Sequence, residues 1–170
     1  MITRFAYLVI LLLAIASQGD VAIGQSWTRQ SSPNSPPARL WPSSAYDSAR
    51  SRVVVFGGDA SGLFASDTWE WDGVDWTQRI PSRIPPGRMN HAMSYDDARG
   101  EVVLFAGRGA SSFYLSDTWV WNGLSWSERF PSRVPPSRLS HALTYDKARN
   151  RVVLFGGLSF GVRQNDTWDW

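Results

Sequence analysis

Two stretches decide the reading of this chain: residues 86–107, PGRMNHAMSYDDARGEVVLFAG, and residues 136–157, PSRLSHALTYDKARNRVVLFGG. Thirteen of these 22 positions are identical, so the sequence repeats itself. An earlier copy runs from Pro37 to Gly58, PARLWPSSAYDSARSRVVVFGG. Arg39, Arg88 and Arg138 are 49 and 50 residues apart, as are Tyr46, Tyr95 and Tyr145, and Phe56, Phe105 and Phe155. A second block follows each copy: SDTWEWDG at 66–73, SDTWVWNG at 116–123 and NDTWDW at 165–170. A period near 50 lies in the range of propeller blades, above that of most helical solenoids.

Working outward from one copy, each repeat reads as four short strands with no helical stretch. The first is around His91 to Tyr95 and the second is the apolar run Val102 to Phe105. The third carries Trp119 and Trp121, and the fourth lies around Trp126. Gly100 and Asn150 end tight hairpins between the first two strands, because both tolerate positive φ. Asp72-Gly73 and Asn122-Gly123 mark the hairpins between the last two. The second strand is apolar at consecutive positions, which predicts burial on both faces. Trp69 and Trp71 are two apart and share a face, so they are expected to form the packing layer between adjacent repeats.

These features resemble the kelch repeat. The resemblance is carried by the pairs Gly57-Gly58 and Gly156-Gly157, the Tyr of the first strand, and the Trp of the fourth strand about 19 residues after the pair. It covers residues 25–170 and is similar to the secreted bacterial variety, in the group sharing the galactose oxidase-like propeller. It implies an all-β fold, a kelch-type β-propeller segment of about three four-stranded blades. The repeats span approximately 37–76, 86–126 and 136–170, with a lone strand at 26–30 placed by Trp27, which lies 49 residues before Trp76. Closed propellers have about four to eight blades. The expectation is therefore a partial propeller, or half of a six-bladed ring formed by a homodimer through strand exchange. The second copy departs from the pattern with Ala106-Gly107, at small cost if only the second position needs the freedom of Gly. The first copy has Pro42 where the others have His91 and His141.

The chain has 170 residues, with 17 Lys+Arg against 15 Asp+Glu and a net charge of +2. That balance is no electrostatic footprint for nucleic acid. Zero Cys excludes disulfides, thiol nucleophiles and cysteine metal sites. Residues 1–24 read as a signal peptide: Arg4, a twelve-residue apolar run from Phe5 to Ala16, then small residues. The run is too short to span a bilayer. The expected localisation is secreted or periplasmic, with no membrane association after cleavage.

The spacing from Trp to Arg across the proline-rich crossovers is always 12, from Arg to Tyr 7 and from Tyr to Phe 10. Only the loop between the second and third strands varies, both in length and in content: DASGLFAS, RGASSFYLS and LSFGVRQN. Variable loops on a rigid scaffold are where binding groups gather. Phe64, Arg108, Phe113, Tyr114, Phe160 and Arg163 are therefore candidate ligand-binding residues. An aromatic beside Arg suits a sugar or a peptide. The alternative role for these aromatics is packing between neighbouring loops. His91 and His141, starting the first strand, are expected near one mouth of a central channel and join the candidates. Two histidines without a third ligand predict no metal site. The once-per-repeat Arg39, Arg88 and Arg138, with Asp67, Asp117 and Asp166, are expected to brace the repeats, the Asp bonding the loop backbone.

The resemblance to galactose oxidase implies a copper-radical cofactor that requires Cys, and that carry-over fails here. No cofactor and no catalytic residue is assigned. The expected function is an exported binding module with a carbohydrate or protein ligand. The alternative is part of a secreted carbohydrate-active enzyme, a kelch-fold epimerase or oxidase, whose active site lies in missing blades.

Overall fold

A computed structural model describes residues 26–111 and 113–170; the expected signal segment at 1–24 lies outside them. Among the described residues there is no helix, and the fold is all-β. Residues 26–30 carry no strand, and Trp27 is fully exposed, so the lone strand expected there is not formed. From Ser31 onward the chain is one compact unit.

The strands in the first repeat are β1 (Ser43–Asp47), β2 (Arg52–Phe56), β3 (Asp59–Ala60), β4 (Leu63–Phe64), β5 (Thr68–Trp71) and β6 (Trp76–Arg79). In the second they are β7 (Arg88–Met89), β8 (Ala92–Asp96), β9 (Glu101–Gly109), β10 (Leu115–Trp121) and β11 (Trp126–Arg129). In the third they are β12 (Ala142–Asp146), β13 (Arg151–Phe155), β14 (Leu158–Ser159), β15 (Val162–Arg163) and β16 (Thr167–Asp169). The first sheet has the order β1-β2-β5-β6. The second runs β8-β9-β10-β11, with β7 added beside the end of β9. The third has three strands, β12-β13-β16. All these pairings are antiparallel, and equivalent residues pair alike: Tyr46 with Val53, Tyr95 with Val102, Tyr145 with Val152.

Turn chemistry explains the common register. Ser51, Gly100 and Asn150 take φ of 53°, 68° and 54° at the end of the first hairpin of each repeat. Asp96 accepts from the Ala98 and Arg99 amides with one carboxylate oxygen and holds the Arg99 guanidinium with the other. In the second hairpin type, Asp72 accepts from the amides of Val74 and Asp75, and Asn122 from those of Leu124 and Ser125. Side chains that bond the backbone two residues on favour such turns.

The sheets stack face on face. Trp119, Trp121 and Trp126 of the second sheet pack with Met93, Tyr95, Val102 and Leu104 against Ala45, Val54 and Phe56 of the first. On its other face, Val103 and Val120 meet Val152, Leu143, Tyr145 and Trp170 of the third. The second sheet is therefore covered on both sides, as the apolar run in its second strand predicts. The packing layer expected of Trp69 and Trp71 is formed by Trp119 and Trp121. Trp69 and Trp71 themselves are half-buried, because among the described residues no sheet lies on that face of the first repeat.

The stack is pinned by a repeated clamp. Buried Arg88 donates to Asp117 through Nη1 and Nη2 at 2.7 and 2.6 Å, to the Ala106 carbonyl at 3.0 Å and to the Pro86 carbonyl at 3.0 Å. Arg138 does the same to Asp166, Gly156 and Pro136, and Arg39 to Asp67, Gly57 and Pro37. The Trp119 indole donates to the same Asp117 carboxylate at 2.7 Å, as Trp69 and Trp168 do to Asp67 and Asp166. As expected, each of these Asp carboxylates bonds the backbone at the loop end, through its own amide, and it also takes the guanidinium and the indole. Burial raises the Asp117 pKa, but the Arg88 fork and the Trp119 indole outweigh it and hold the carboxyl below its usual range. The Arg88 backbone also reaches the preceding repeat, accepting from Gly58 at 2.8 Å and donating to Ala65 at 3.2 Å.

The glycine pair follows from this crowding. A Cβ on Gly107, at φ 102°, would stand 2.7 Å from His91 Cβ and 2.8 Å from the Met89 carbonyl. The expected low cost of Ala at the first position is corrected. Ala106 has φ 56°, left-handed like Gly57 and Gly156. That conformation costs an L-residue about 1–2 kcal/mol, which the clamp's bond to the Ala106 carbonyl helps to hold.

Removing Asp117 strands Arg88, which is fully buried, as an unpaired charge. Asp117→Ala is therefore expected to destabilise the fold by about 3–5 kcal/mol in urea unfolding. A loss below about 1 kcal/mol would show that the clamp does not hold the sheets.

Candidate functional site

The variable loops of three consecutive repeats meet on one edge of the stack. In the first repeat the loop is the β3–β4 hairpin, ending at Phe64; in the third it is β14–β15, with Phe160 at its tip. In the second, β9 and β10 extend into the loop and carry Arg108 and, just before β10, Phe113 and Tyr114. The Arg108 guanidinium lies over the Phe113 ring at 4.3 Å and over Phe64 at 5.7 Å. Phe113 meets Tyr114 edge-on at 4.8 Å, and Tyr114 packs on Phe160 at 4.9 Å. The Tyr114 hydroxyl accepts from the Gly161 amide at 3.2 Å.

Five of the sequence-predicted residues, Phe64, Arg108, Phe113, Tyr114 and Phe160, thus form one row across three repeats. The packing role and the binding role are divided among them. Phe64, Arg108 and Tyr114 are half-buried between loops, while Phe113 and Phe160 are 52% and 74% exposed. Phe160 also takes φ 46°, with Gly161 at 83°. The matching pair in the first repeat is Ser61-Gly62, at φ 57° and 84°. A bulky ring in left-handed backbone is unfavourable, and an exposed ring gains little burial in return. Strain of this kind gathers at functional positions.

The remaining candidates lie elsewhere. Arg163 is exposed and lines a groove with Leu139, Phe155 and Gln164, apart from the aromatic row. His91 and His141, expected to be open to a ligand, are buried. Each imidazole is wedged edge-on against the Phe of the preceding repeat, His91 on Phe56 at 5.7 Å and His141 on Phe105 at 5.5 Å. The Phe56 and Phe105 carbonyls lie near enough to favour the charged rings slightly, but no ring nitrogen makes a hydrogen bond of normal geometry. Among the described residues, no group of three or more His, Cys, Asp or Glu could hold a metal ion. Sequence reasoning missed Leu63 and Val162 at the hairpin tips, 72% and 62% exposed. The signal was present in the matching Gly62-Leu63 and Gly161-Val162 pairs, which place an apolar residue where a hairpin tip favours a polar one.

Burial pushes the His91 pKa down to about 3 and that of His141 down to about 4, assisted by the neighbouring Arg88 and Arg138 charges respectively. Both rings are neutral in the fold, whereas in the unfolded chain they take up protons below about pH 6.5. Stability is therefore fully present above pH 6.5 and is lost as pH falls toward 4, by about 1.4 kcal/mol per pH unit for each ring. Urea unfolding at pH 7.5, 6, 5 and 4.5 is expected to show that decline, and His91→Phe to lessen its slope. A profile flat from pH 7 to 5 would contradict buried neutral histidines.

No protein-family model matches the chain, and no curated protein matches it. Among solved structures it is similar to that of YjhT, with a TM-score of 0.60 and 13% identity over 77% of this chain. The likeness is one of fold. The chain spans 42% of the length of that protein.

Proposed function

We propose that this chain is an exported, non-catalytic binding module built on a kelch-type β-propeller architecture, whose ligand is a carbohydrate. The propeller reading is supported by three in-register repeats, strand order conserved from sheet to sheet, and face-to-face stacking. The likeness in fold to YjhT is compatible with it. Export rests on the pattern of residues 1–24.

The observation that carries the binding role is the row formed by Phe64, Arg108, Phe113, Tyr114 and Phe160. Two exposed rings flank a half-buried tyrosine, and a guanidinium lies over one of them. A pyranose presents an apolar C–H face that stacks on such rings, and its hydroxyls accept hydrogen bonds from Arg. The aromatic packing orients Arg108 in advance, which lowers the entropic cost of engaging a ligand.

The test is a panel of neutral and acidic oligosaccharides, with a panel of peptides as the competing class. The Phe113→Ala/Tyr114→Ala double variant is expected to bind the selected sugar about 10–100-fold more weakly, given about 0.5–1.5 kcal/mol for each ring contact. Its near-ultraviolet circular dichroism should stay that of a folded chain. Unchanged binding by the double variant would remove the loop row from the site, and binding confined to peptides would overturn the carbohydrate reading.

A further inference from the structure

The two sheet-to-sheet junctions share their backbone contacts and differ in their side-chain ones. Where the second sheet meets the first, the Trp121 indole donates to Glu70 Oε1 at 3.0 Å and the Trp126 indole to Thr68 Oγ1 at 2.9 Å. The Phe56 ring meets Trp126 edge-on at 5.2 Å. The other Glu70 oxygen is held by Arg79 at 2.6 Å. Backbone bonds add to this: Gly58 N–H to Arg88 C=O, and Arg88 N–H to Ala65 C=O.

Where the third sheet meets the second, the backbone bonds recur, from Gly107 to Arg138 and from Arg138 to Leu115, at 2.9 and 3.0 Å. The indole contact does not. Trp170 stands where Trp121 does, but the position of Glu70 is occupied by Val120, and the buried Trp170 Nε1 finds no acceptor. The acid at that position is therefore what decides whether the facing indole is satisfied.

The two outermost faces carry the unmatched halves of the same set. On the first sheet, Trp71 and Trp76 lie 5.5 Å apart at 46°, close to the 5.5 Å and 40° of Trp121 and Trp126. Both are half-buried, and Tyr46 beside them is 58% exposed. On the third sheet, Thr167, Asp169 and Phe155 occupy the positions of Thr68, Glu70 and Phe56. Phe155 is 56% exposed. Asp169 Oδ2 is held by Arg151 at 2.6 Å, which leaves Oδ1 open, just as Arg79 leaves Glu70 Oε1 for an indole.

We propose that this chain pairs with a second copy of itself, the tryptophan face of the first sheet seating on the outer face of the partner copy's third sheet. The Trp71 indole then donates to Asp169, the Trp76 indole to Thr167, and Phe155 meets Trp76 edge-on. The Arg39 backbone bonds Gly157 and Gln164, filling the groove that Leu139, Phe155 and Gln164 now leave open. The occupant is a second copy because the exposed acid, hydroxyl and ring stand at the positions that the first sheet uses to receive a tryptophan pair. Two copies related by a twofold axis make this contact twice, bringing six sheets together, a number within the range of closed rings. This inference stands independently of the sugar site.

Light scattering on a sizing column, with the full mature chain at micromolar concentration, tests it. A mass twice that of one chain is expected. Trp71→Arg and Asp169→Arg should each raise the dimer dissociation constant by a hundredfold or more, with near-ultraviolet circular dichroism still that of a folded chain. An equimolar mixture of these two variants keeps one of the two contacts intact, and should recover part of the dimer that neither variant forms alone. A wild-type chain of single mass, a mass above two chains, or variants that dimerise as the wild type does would each overturn the proposal.

Discussion

The structure depends on one residue doing two jobs. The side chain of Arg88 binds its own repeat, gripping Asp117 and two carbonyls, while its backbone binds the repeat before it. A buried ion pair is seldom a net source of stability, since desolvation offsets most of the Coulomb gain. The value of this pair lies in geometry. A planar fork with five donors accepts only one arrangement of carboxylate and carbonyls, so it sets where the crossover ends and where the next sheet begins. The paired prolines before each Arg restrict the approach of the chain and carry no amide that would compete for the same acceptors. The constant spacing from Trp to Arg and from Arg to Tyr is the sequence record of that constraint.

Much of the fold was legible because the constraint is periodic. Strand order, hairpin positions and the burial of the second strand follow from residues that recur at a spacing of 49 or 50. The bond partners were harder to read. Asp117 lies 29 residues beyond Arg88, and periodicity says that both recur without saying that they meet. Ala106 misled for a related reason. Its backbone is held left-handed by the close approach of Arg88, a contact between distant segments that no local propensity encodes. His91 misled in turn, since an imidazole at the start of a strand looks available until the Phe56 ring of the previous repeat is placed against it.

The candidate site was legible by the opposite signal. Where the clamp leaves the chain unconstrained, length and content vary, and five of the six loop residues singled out on that basis meet in one row. Arg163 did not join them. It occupies the place of Phe64 in its repeat, but Phe64 enters the row through Arg108 of the next repeat's loop, and among the described residues no such partner packs on Arg163. The division of labour is physical: the clamp spends the strongest hydrogen bonds on holding the scaffold, and the loops are free to carry exposed rings.

The same logic bears on the ends of the stack. In a repeat structure each unit contributes half of two interfaces, and stability comes from nearest neighbours. The second sheet is buried on both faces, and its tryptophans are satisfied or fully packed. The first and third sheets each have one such face and one left open, and the open faces are not generic apolar surface. One holds indole donors at a fixed separation, the other an acid already half-neutralised by Arg151 and a threonine two residues away. The orphaned Trp170 indole opposite Val120 shows that this donor–acceptor pairing is not automatic at every junction. The presence of its donors on one outermost face and of its acceptors on the other is what a surface made for burial against its own kind looks like.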